Sequence, residues 1–371
     1  MILLAILVFI LILGLLVFVH ELGHFIMAKR AGMNVQEFGF GFPPRLFGFR
    51  RGETTYSVNW IPLGGFVKIT GEDGGSSPDP SSFVNKGFWA RLSVLLAGVA
   101  MNFILAWVLL FLGFAFIKTP VEYGTAADLE GARIHEQHVA VVAVEPDSPA
   151  ERTGFKPGDV IDKVDGRSFD DIDALIEYTR SRAGQTVLYE LKRGDQILVK
   201  DVIPRSTPPP GGGAVGFAPA KIATVTYPIP EALKYSVMAF TGKVVGILQA
   251  FGMLLGGIFT SGKVAEGLSG PIGIAVLTRD FTVLGIVYLV QFAAALSINL
   301  AIINAVPFPA LDGGRVLFLI IEKIRGTPSL KWERVANIVG FSLLMLLIIA
   351  VSFQDVNRFS ESFKNLFGRV F

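Results

Sequence analysis

Four long apolar stretches constrain the fold of this chain more than any other feature. They cover roughly residues 1–28, 92–117, 282–306 and 335–353, and a membrane-spanning helix needs about 20 such residues. Since 51% of the 371 residues are hydrophobic and only 17% are charged, the composition does not suit an ordinary soluble protein. We therefore expect a multi-spanning α-helical membrane protein with about four transmembrane helices.

The composition also limits the chemistry that the chain can perform. It has no cysteine, which excludes disulfides, thiolate metal sites and cysteine nucleophiles, so that any metal must be held by His, Asp or Glu. A net charge of only +2 does not indicate a nucleic-acid-binding protein. The apolar residues 1–19 lack a positively charged start and continue through His20 to Ala28. We expect a retained membrane helix there, not a cleaved signal peptide.

The first transmembrane half is assigned to residues 1–117. Between its two spans, residues 38–70 are rich in glycine and aromatic residues and contain the run TYSVNWIPL, a pattern typical of β-hairpins. We expect this β element close to the membrane. Residues 125–206 differ in character, with short β runs around the helical stretch DIDALIEYTRSRA. They predict an inserted soluble α+β domain.

The remaining chain is assigned to a linker region and a second transmembrane half. The segment STPPPGGG cannot continue a helix or a strand, and it opens the linker region at residues 207–280. Within that region, residues 231–259 have helical spacing. We expect helices lying at the membrane interface there, and transmembrane insertion remains open as the alternative. Residues 281–371 form the second transmembrane half.

Basic residues near the ends of the spans predict the orientation in the membrane. Cytoplasmic loops carry an excess of Lys and Arg, and two loops here are enriched in them. These residues are Lys29, Arg30, Arg45, Arg50, Arg51, Lys68, Lys86 and Arg91, and then Arg315, Lys323, Arg325, Lys331 and Arg334. We expect both loops in the cytoplasm, and the soluble domain and both chain termini on the opposite side of an inner (plasma) membrane.

The segment HELGH in the first span predicts a metal site. On a helix, residues four apart share a face, so His20 and His24 can place two nitrogens on one zinc ion. Glu21 lies beside that face, where its carboxylate can act as general base toward a metal-activated water. Three ionisable residues within five positions are costly inside a membrane. A metal or a polar cavity would explain their presence.

A catalytic zinc ion needs a third protein ligand, and Asp312 is the best candidate. It follows an uncharged run in the segment AVPFPALDGGR, on the same predicted side of the membrane as HELGH. Pro307 and Pro309 break the helix there, and two glycines after Asp312 let the chain turn back. The only other histidines, His135 and His138, are expected at the surface of the soluble domain.

In these motifs the chain resembles the site-2 protease family of M50 zinc metalloproteases, and more closely the group of bacterial regulator of sigma-E proteases. HELGH, GFGF, IPLGGFVK, SGPIGIA and NAVPFPALDGG match the family in order and spacing. The resemblance implies that His20, His24 and Asp312 bind Zn²⁺ and that Glu21 is the catalytic residue. It also implies substrate-binding or oxyanion-stabilising roles for Asn102 and Asn304.

The resemblance extends to both β regions. The loop 38–70 resembles the family's membrane-reentrant β element, which implies pairing with an extended substrate through positions Gly39, Gly41, Gly64 and Gly65. The soluble module resembles a PDZ domain in EPDSPAERTGFKPGDVIDKVDG. Well-known members carry two such domains and this chain has one. It also has Val99 where the family often has proline.

The sequence thus predicts a zinc metalloprotease that cleaves transmembrane segments of single-span membrane proteins, such as anti-sigma factors or signal-peptide remnants. Expected partners are these substrates, peptide C-termini or extended segments at the PDZ-like domain, and membrane lipid, without nucleic acid. A zinc transporter is one alternative, although it would repeat ligands across several helices. A catalytically silent scaffold is another, although it need not keep Glu21.

Overall fold

The computed structural model describes residues 2–72, 78–261, 269–327 and 330–358. Parts of the predicted segments 207–280 and 281–371 lie outside these residues. The chain divides into two compact units. The first comprises Met1–Leu109, Ala239–Arg279 and Phe292–Phe371, and the second comprises Leu110–Met238 and Asp280–Gln291.

The secondary structure of the described residues comprises nine α-helices and eight strands. The helices are α1 Ile2–Arg30, α2 Phe88–Phe116, α3 Pro149–Thr153, α4 Ile172–Ser181, α5 Ile229–Ser261, α6 Pro271–Leu284, α7 Ile286–Ala305, α8 Asp312–Arg325 and α9 Leu330–Arg358. The strands are β1 Val35–Arg51, β2 Thr54–Ile69, β3 Thr119–Glu122, β4 Arg133–Val144, β5 Val160–Val164, β6 Val187–Arg193, β7 Gln196–Val202 and β8 Phe217–Thr226.

Five helices of the described chain are long and apolar enough to cross a membrane. Four of them, α1, α2, α7 and α9, coincide with the four predicted spans and confirm a multi-pass membrane protein. The fifth lies in α5 at Ile229–Leu254. We predicted interfacial helices over 231–259, and the structure has one continuous helix there. Its length and composition satisfy the alternative of insertion.

The β element of the first unit is made of two long bent strands. The first part of β1 lies between two parts of β2, because Phe38 pairs with both Val67 and Tyr56. The second part of β1 continues as a hairpin, in which Phe49 also pairs with Tyr56. Apolar side chains at the far end are exposed, including Trp60 at 64%. An apolar surface of this kind suits contact with lipid.

The second unit contains an antiparallel six-stranded sheet in the order β3-β8-β4-β5-β6-β7. Its core packs α3 and α4 against the sheet around the buried residues Val141, Leu175, Tyr189 and Leu191. The sheet extends beyond the predicted segment 125–206 at both ends, since β3 precedes it and β8 follows it. The proline- and glycine-rich linker does not end the sheet, because the chain returns as β8 beside β4.

An ion pair joins the residue before β5 to the end of β6. Asp159 is fully buried, and Arg193 donates to both of its carboxylate oxygens, at 2.6 and 2.8 Å. The backbone N–H of Lys156 donates to the same carboxylate at 2.8 Å. A buried carboxylate needs such a full set of partners. The Asp of the sequence KPGDV thus has a structural role in the module.

Candidate metal centre

The structure brings together the three side chains that the sequence predicts as metal ligands. His20 and His24 lie one turn apart on α1, with their Nε2 atoms 3.2 Å from each other. Asp312, the first residue of α8, places Oδ2 at 3.0 Å from Nε2 of His20 and at 3.4 Å from Nε2 of His24. Among the described residues this is the one group of His, Asp and Glu that could hold a metal.

The triangle of these three atoms has the size that zinc requires. Tetrahedral bonds of about 2.0–2.1 Å place neighbouring ligand atoms about 3.3–3.4 Å apart, close to the distances observed. Nδ1 of His24 donates to the backbone oxygen of Val94 at 2.8 Å. The Nε2 atom of His24 therefore carries a lone pair, which faces Asp312. Oδ2 of Asp312 is buried. Electron-rich atoms converge at this point, and the donor set fits a zinc ion.

One face of α2 supports both histidines. Val94, Gly98 and Asn102 follow each other at intervals of four residues, so they lie on the same face of the helix. The backbone oxygen of Val94 contacts Nδ1 of His24, and the amide of Asn102 contacts Nδ1 of His20 at 3.2 Å. Between them, a Cβ at Gly98 would lie 2.6 Å from Cε1 of His20. Only glycine leaves room for the imidazoles.

The turn before α8 sets the position of Asp312. Its one left-handed residue is Ala310, with φ of 74°, and the Ala310 N–H donates to Oδ1 of Asn337 at 3.0 Å. We predicted that Gly313 and Gly314 allow the chain to turn back, but neither has a positive φ. They are needed because the preceding chain passes too close for a side chain, with the backbone carbon of Phe308 2.7 Å from a Cβ at Gly314.

Glu21 lies between the metal ligands and the β element. It interacts electrostatically with His20, His24 and Asp312. Its Cγ would lie 3.2 Å from a Cβ at Gly65, so strand β2 passes directly against the side chain. The absence of a side chain at Gly65 is what allows this approach. The predicted general base is thus adjacent to both the metal ligands and a β strand.

The other predicted substrate positions have different surroundings. Gly39 and Gly64 are tightly packed against the rings of Phe66 and Phe42, and Gly41 has φ of 80° with the Ile61 carbonyl oxygen 2.8 Å from a Cβ position. Asn304 is half-buried near the end of α7.

Burial distinguishes the remaining predicted positions. Asn102 is fully buried, and its substrate role stays a prediction. His138, expected at the surface, is half-buried in β4 with its Nε2 buried, because the strand lies inside a sheet. His135 is exposed, with its Nε2 2.9 Å from Thr226 Oγ1.

A cleft of about 610 Å³ with a mixed polar and apolar lining opens beside the turn that precedes Asp312. Its charged lining residues are Glu72, Arg91, Arg315, Glu333 and Arg334. Arg315, one turn after Asp312 in α8, pairs with Glu72. Glu72 also interacts electrostatically with Glu21. The cleft thus has a charged lining, and one of its lining residues interacts with the predicted base.

Membrane helices that carry an HExxH pair opposite an aspartate define a membrane metalloprotease. The chain belongs to peptidase family M50, whose family model matches residues 8–347. It is similar to a putative zinc metalloprotease of Nostoc sp., at 35% identity over 82% of each chain. It is also similar to one of Clostridium perfringens, at 34% identity over 89% of this chain and 92% of the relative.

A third relative is the regulator of sigma-W protease of Bacillus subtilis, with 28% identity over 90% of this chain and 93% of the relative. These findings confirm the predicted membership of the site-2 protease type, the zinc cofactor and the metalloprotease activity. The chain also matches, at 27% identity and a TM-score of 0.21, the PDZ domain of the SdrC-like protein of Listeria monocytogenes, covering 24% of this chain and 92% of that domain.

Proposed function

We propose that the chain is an intramembrane endopeptidase that cleaves transmembrane segments of single-span membrane proteins, with zinc held by His20, His24 and Asp312 and with Glu21 as general base. The observation that carries the proposal is the triangle of two imidazole nitrogens and one carboxylate oxygen in the first unit, at 3.0–3.4 Å. Glu21 lies beside it on a helix apolar enough to cross a membrane.

The chemistry divides between the metal and Glu21. A zinc ion held by His20, His24 and Asp312 would supply Lewis acidity toward a scissile carbonyl and toward water. The carboxylate of Glu21 would accept the proton of the attacking water and return it to the leaving amine.

A helical substrate must unwind before its peptide bonds are accessible, because a helix in lipid satisfies all of its backbone groups internally. The segment Gly65–Ile69 of β2 pairs with β1 along one of its edges. An unwound substrate strand would pair along its other edge, and Gly65 would place that strand next to Glu21. The predicted substrate positions Gly39, Gly41 and Gly64 would then act by shaping the β element.

Water would approach Glu21 from the cleft beside the turn that precedes Asp312. The cleft is lined by Glu72 and Arg315, which lie in the two loops rich in Lys and Arg. Under the positive-inside rule these loops lie in the cytoplasm. The active site would therefore be near the cytoplasmic side, with the sheet-bearing unit outside.

The PDZ-like unit would hold extended peptide segments or C-termini of the substrate. Strand β3 pairs with β8 at Ile222–Val225, and within the described residues the start of β8, at Phe217–Ala220, has no partner from β3. An edge of this kind accepts an added strand. Helix α4 contacts the same strand, and Lys221 Nζ lies 3.5 Å from Asp171 Oδ1. Anti-sigma factors and signal-peptide remnants are the proposed classes of substrate.

Two variants of the full chain test the proposal against a purified single-span substrate. Glu21→Gln should keep its zinc and lose about 10²–10⁴-fold in kcat, which is the usual contribution of a general base. Asp312→Ala should lose zinc in metal analysis of the purified protein. Processing by zinc-loaded Glu21→Gln at the wild-type rate would exclude the role of Glu21. Equal zinc contents in Asp312→Ala and wild type would remove Asp312 from the site.

A further inference from the structure

The contact between Asn102 and His20 is not that of a substrate-handling group. The Asn102 side chain is fully buried, so a substrate cannot reach it in this conformation. Its amide lies 3.2 Å from Nδ1 of His20. Its backbone oxygen accepts from the buried hydroxyl of Ser297 on α7, at 2.7 Å. Asn102 is thus fixed between a predicted metal ligand and a neighbouring helix.

The metal ligation requires a defined tautomer of His20. If Nε2 of His20 binds zinc, Nδ1 must carry the hydrogen, and it needs an acceptor. Oδ1 of Asn102 is buried and has no hydrogen-bond partner within the described part of the chain. A 180° rotation of the amide exchanges its oxygen and nitrogen. Oδ1 then faces Nδ1 of His20 and accepts its hydrogen.

His24 shows the same arrangement with a different acceptor. Its Nδ1 contacts the backbone oxygen of Val94 at 2.8 Å, two helical turns before Asn102 on the same face of α2. Both Nδ1 atoms therefore point to α2 and both Nε2 atoms point to Asp312. A backbone oxygen can only accept, so its counterpart at His20 is expected to accept as well.

We propose that Asn102 is a positioning residue for the metal centre, which holds His20 in the tautomer and orientation that zinc binding needs. The proposal rests on the ligand set proposed above. It replaces the substrate-binding or oxyanion-stabilising role that the resemblance implied for Asn102. The two roles differ in chemistry, since positioning needs a hydrogen-bond acceptor and oxyanion stabilisation needs a donor.

Two substitutions separate an acceptor from a donor. Asn102→Ala removes both functions and should weaken zinc binding about 10- to 100-fold, as the loss of a group that orients a ligand does. Asn102→Asp keeps the acceptor and removes the donor, so its zinc affinity should stay close to that of the wild type. Ser93→Ala removes a hydroxyl on the same helix that contacts only the backbone oxygen of Ala90, and it is the matched control with zinc affinity close to wild type.

The measurement is zinc affinity by chelator competition on the full-length protein in detergent, with proteolysis of a single-span substrate at saturating zinc as a second readout. Circular dichroism and size-exclusion elution check that each variant is folded. Weakened binding in Asn102→Ala with rescue in Asn102→Asp is the expected result. In Asn102→Ala, saturating zinc should restore much of the activity.

Three results would overturn the positioning role. The first is wild-type zinc affinity in Asn102→Ala. If Asn102→Ala and Asn102→Asp then both lose activity, Asn102 acts on the substrate and not on the metal ligand. Equal loss of zinc affinity in the two folded variants is another, because it indicates packing and not an acceptor. The third is full zinc binding by His20→Ala, which would refute the ligand set itself. If His20→Ala loses zinc, the first two results overturn the positioning role alone.

Discussion

Gly98→Ala is the most direct test of how closely α2 fits the metal centre. The added methyl carbon would lie 2.6 Å from Cε1 and 2.7 Å from Nε2 of His20, and closer still to Nε2 of His24. Atoms in ordinary contact are about 3.5 Å apart, so the His20 imidazole must move by about 0.8–0.9 Å and the His24 imidazole must move as well. A displacement of about 1 Å in a catalytic site costs about 100-fold in rate, which corresponds to about 2.7 kcal/mol in activation free energy.

The assay is kcat/KM on a purified single-span substrate, together with zinc affinity. Gly98→Ala should lose about 100-fold in kcat/KM and bind zinc more weakly. Gly246→Ala is the matched control on α5, because within the described chain no atom outside its own helix lies within 4 Å of the added carbon. It should behave as wild type. Wild-type kinetics and zinc affinity in Gly98→Ala would refute the argument that glycine is needed for the imidazoles.

Two further predictions concern the sheet-bearing unit. Asp159→Ala leaves the half-buried guanidinium of Arg193 and the N–H of Lys156 without their carboxylate, so it should destabilise the unit by about 1–3 kcal/mol in pulse proteolysis of the full chain. Asp162→Ala breaks a more exposed pair with Lys192 and should cost less than about 1 kcal/mol. Similar losses in the two variants would contradict this. Burial lowers the pKa of His138, so the folded unit binds fewer protons and its stability should fall as the pH drops through about 6.5. His138→Gln should flatten this slope, and flattening in His135→Gln instead would be inconsistent with it.

The sequence was sufficient for the features that depend on local composition and spacing. Apolar length alone predicted α1, α2, α7 and α9, because a bilayer requires about 20 apolar residues per span. The interval of four between His20 and His24 determined that they share a face. Asp312 was found through topology, since both loops rich in Lys and Arg were assigned to one side of the membrane.

The features that depend on long-range contacts were not predicted. Strand β8 follows a linker of prolines and glycines, and its place between β3 and β4 is set by pairing with distant segments. The support of His24 by Val94 uses a backbone oxygen, for which the side chain gives no signal. Gly98 gave only a weak signal, through its interval of four from Asn102. The role of Gly314 could not be separated from that of a turn glycine without the path of the preceding chain.

Helix α5 has a consequence for the number of membrane crossings. The sheet-bearing unit contains the end of α2, the start of α5 and the start of α7, whereas residues 239–279 belong to the other unit. The chain therefore leaves the sheet-bearing unit within α5 and returns to it at Asp280. If that unit lies on one face of the membrane, the number of crossings between Met238 and Asp280 is even, zero or two. The predicted placement of both termini on one face of the membrane would then be the same for an inserted and for an interfacial α5.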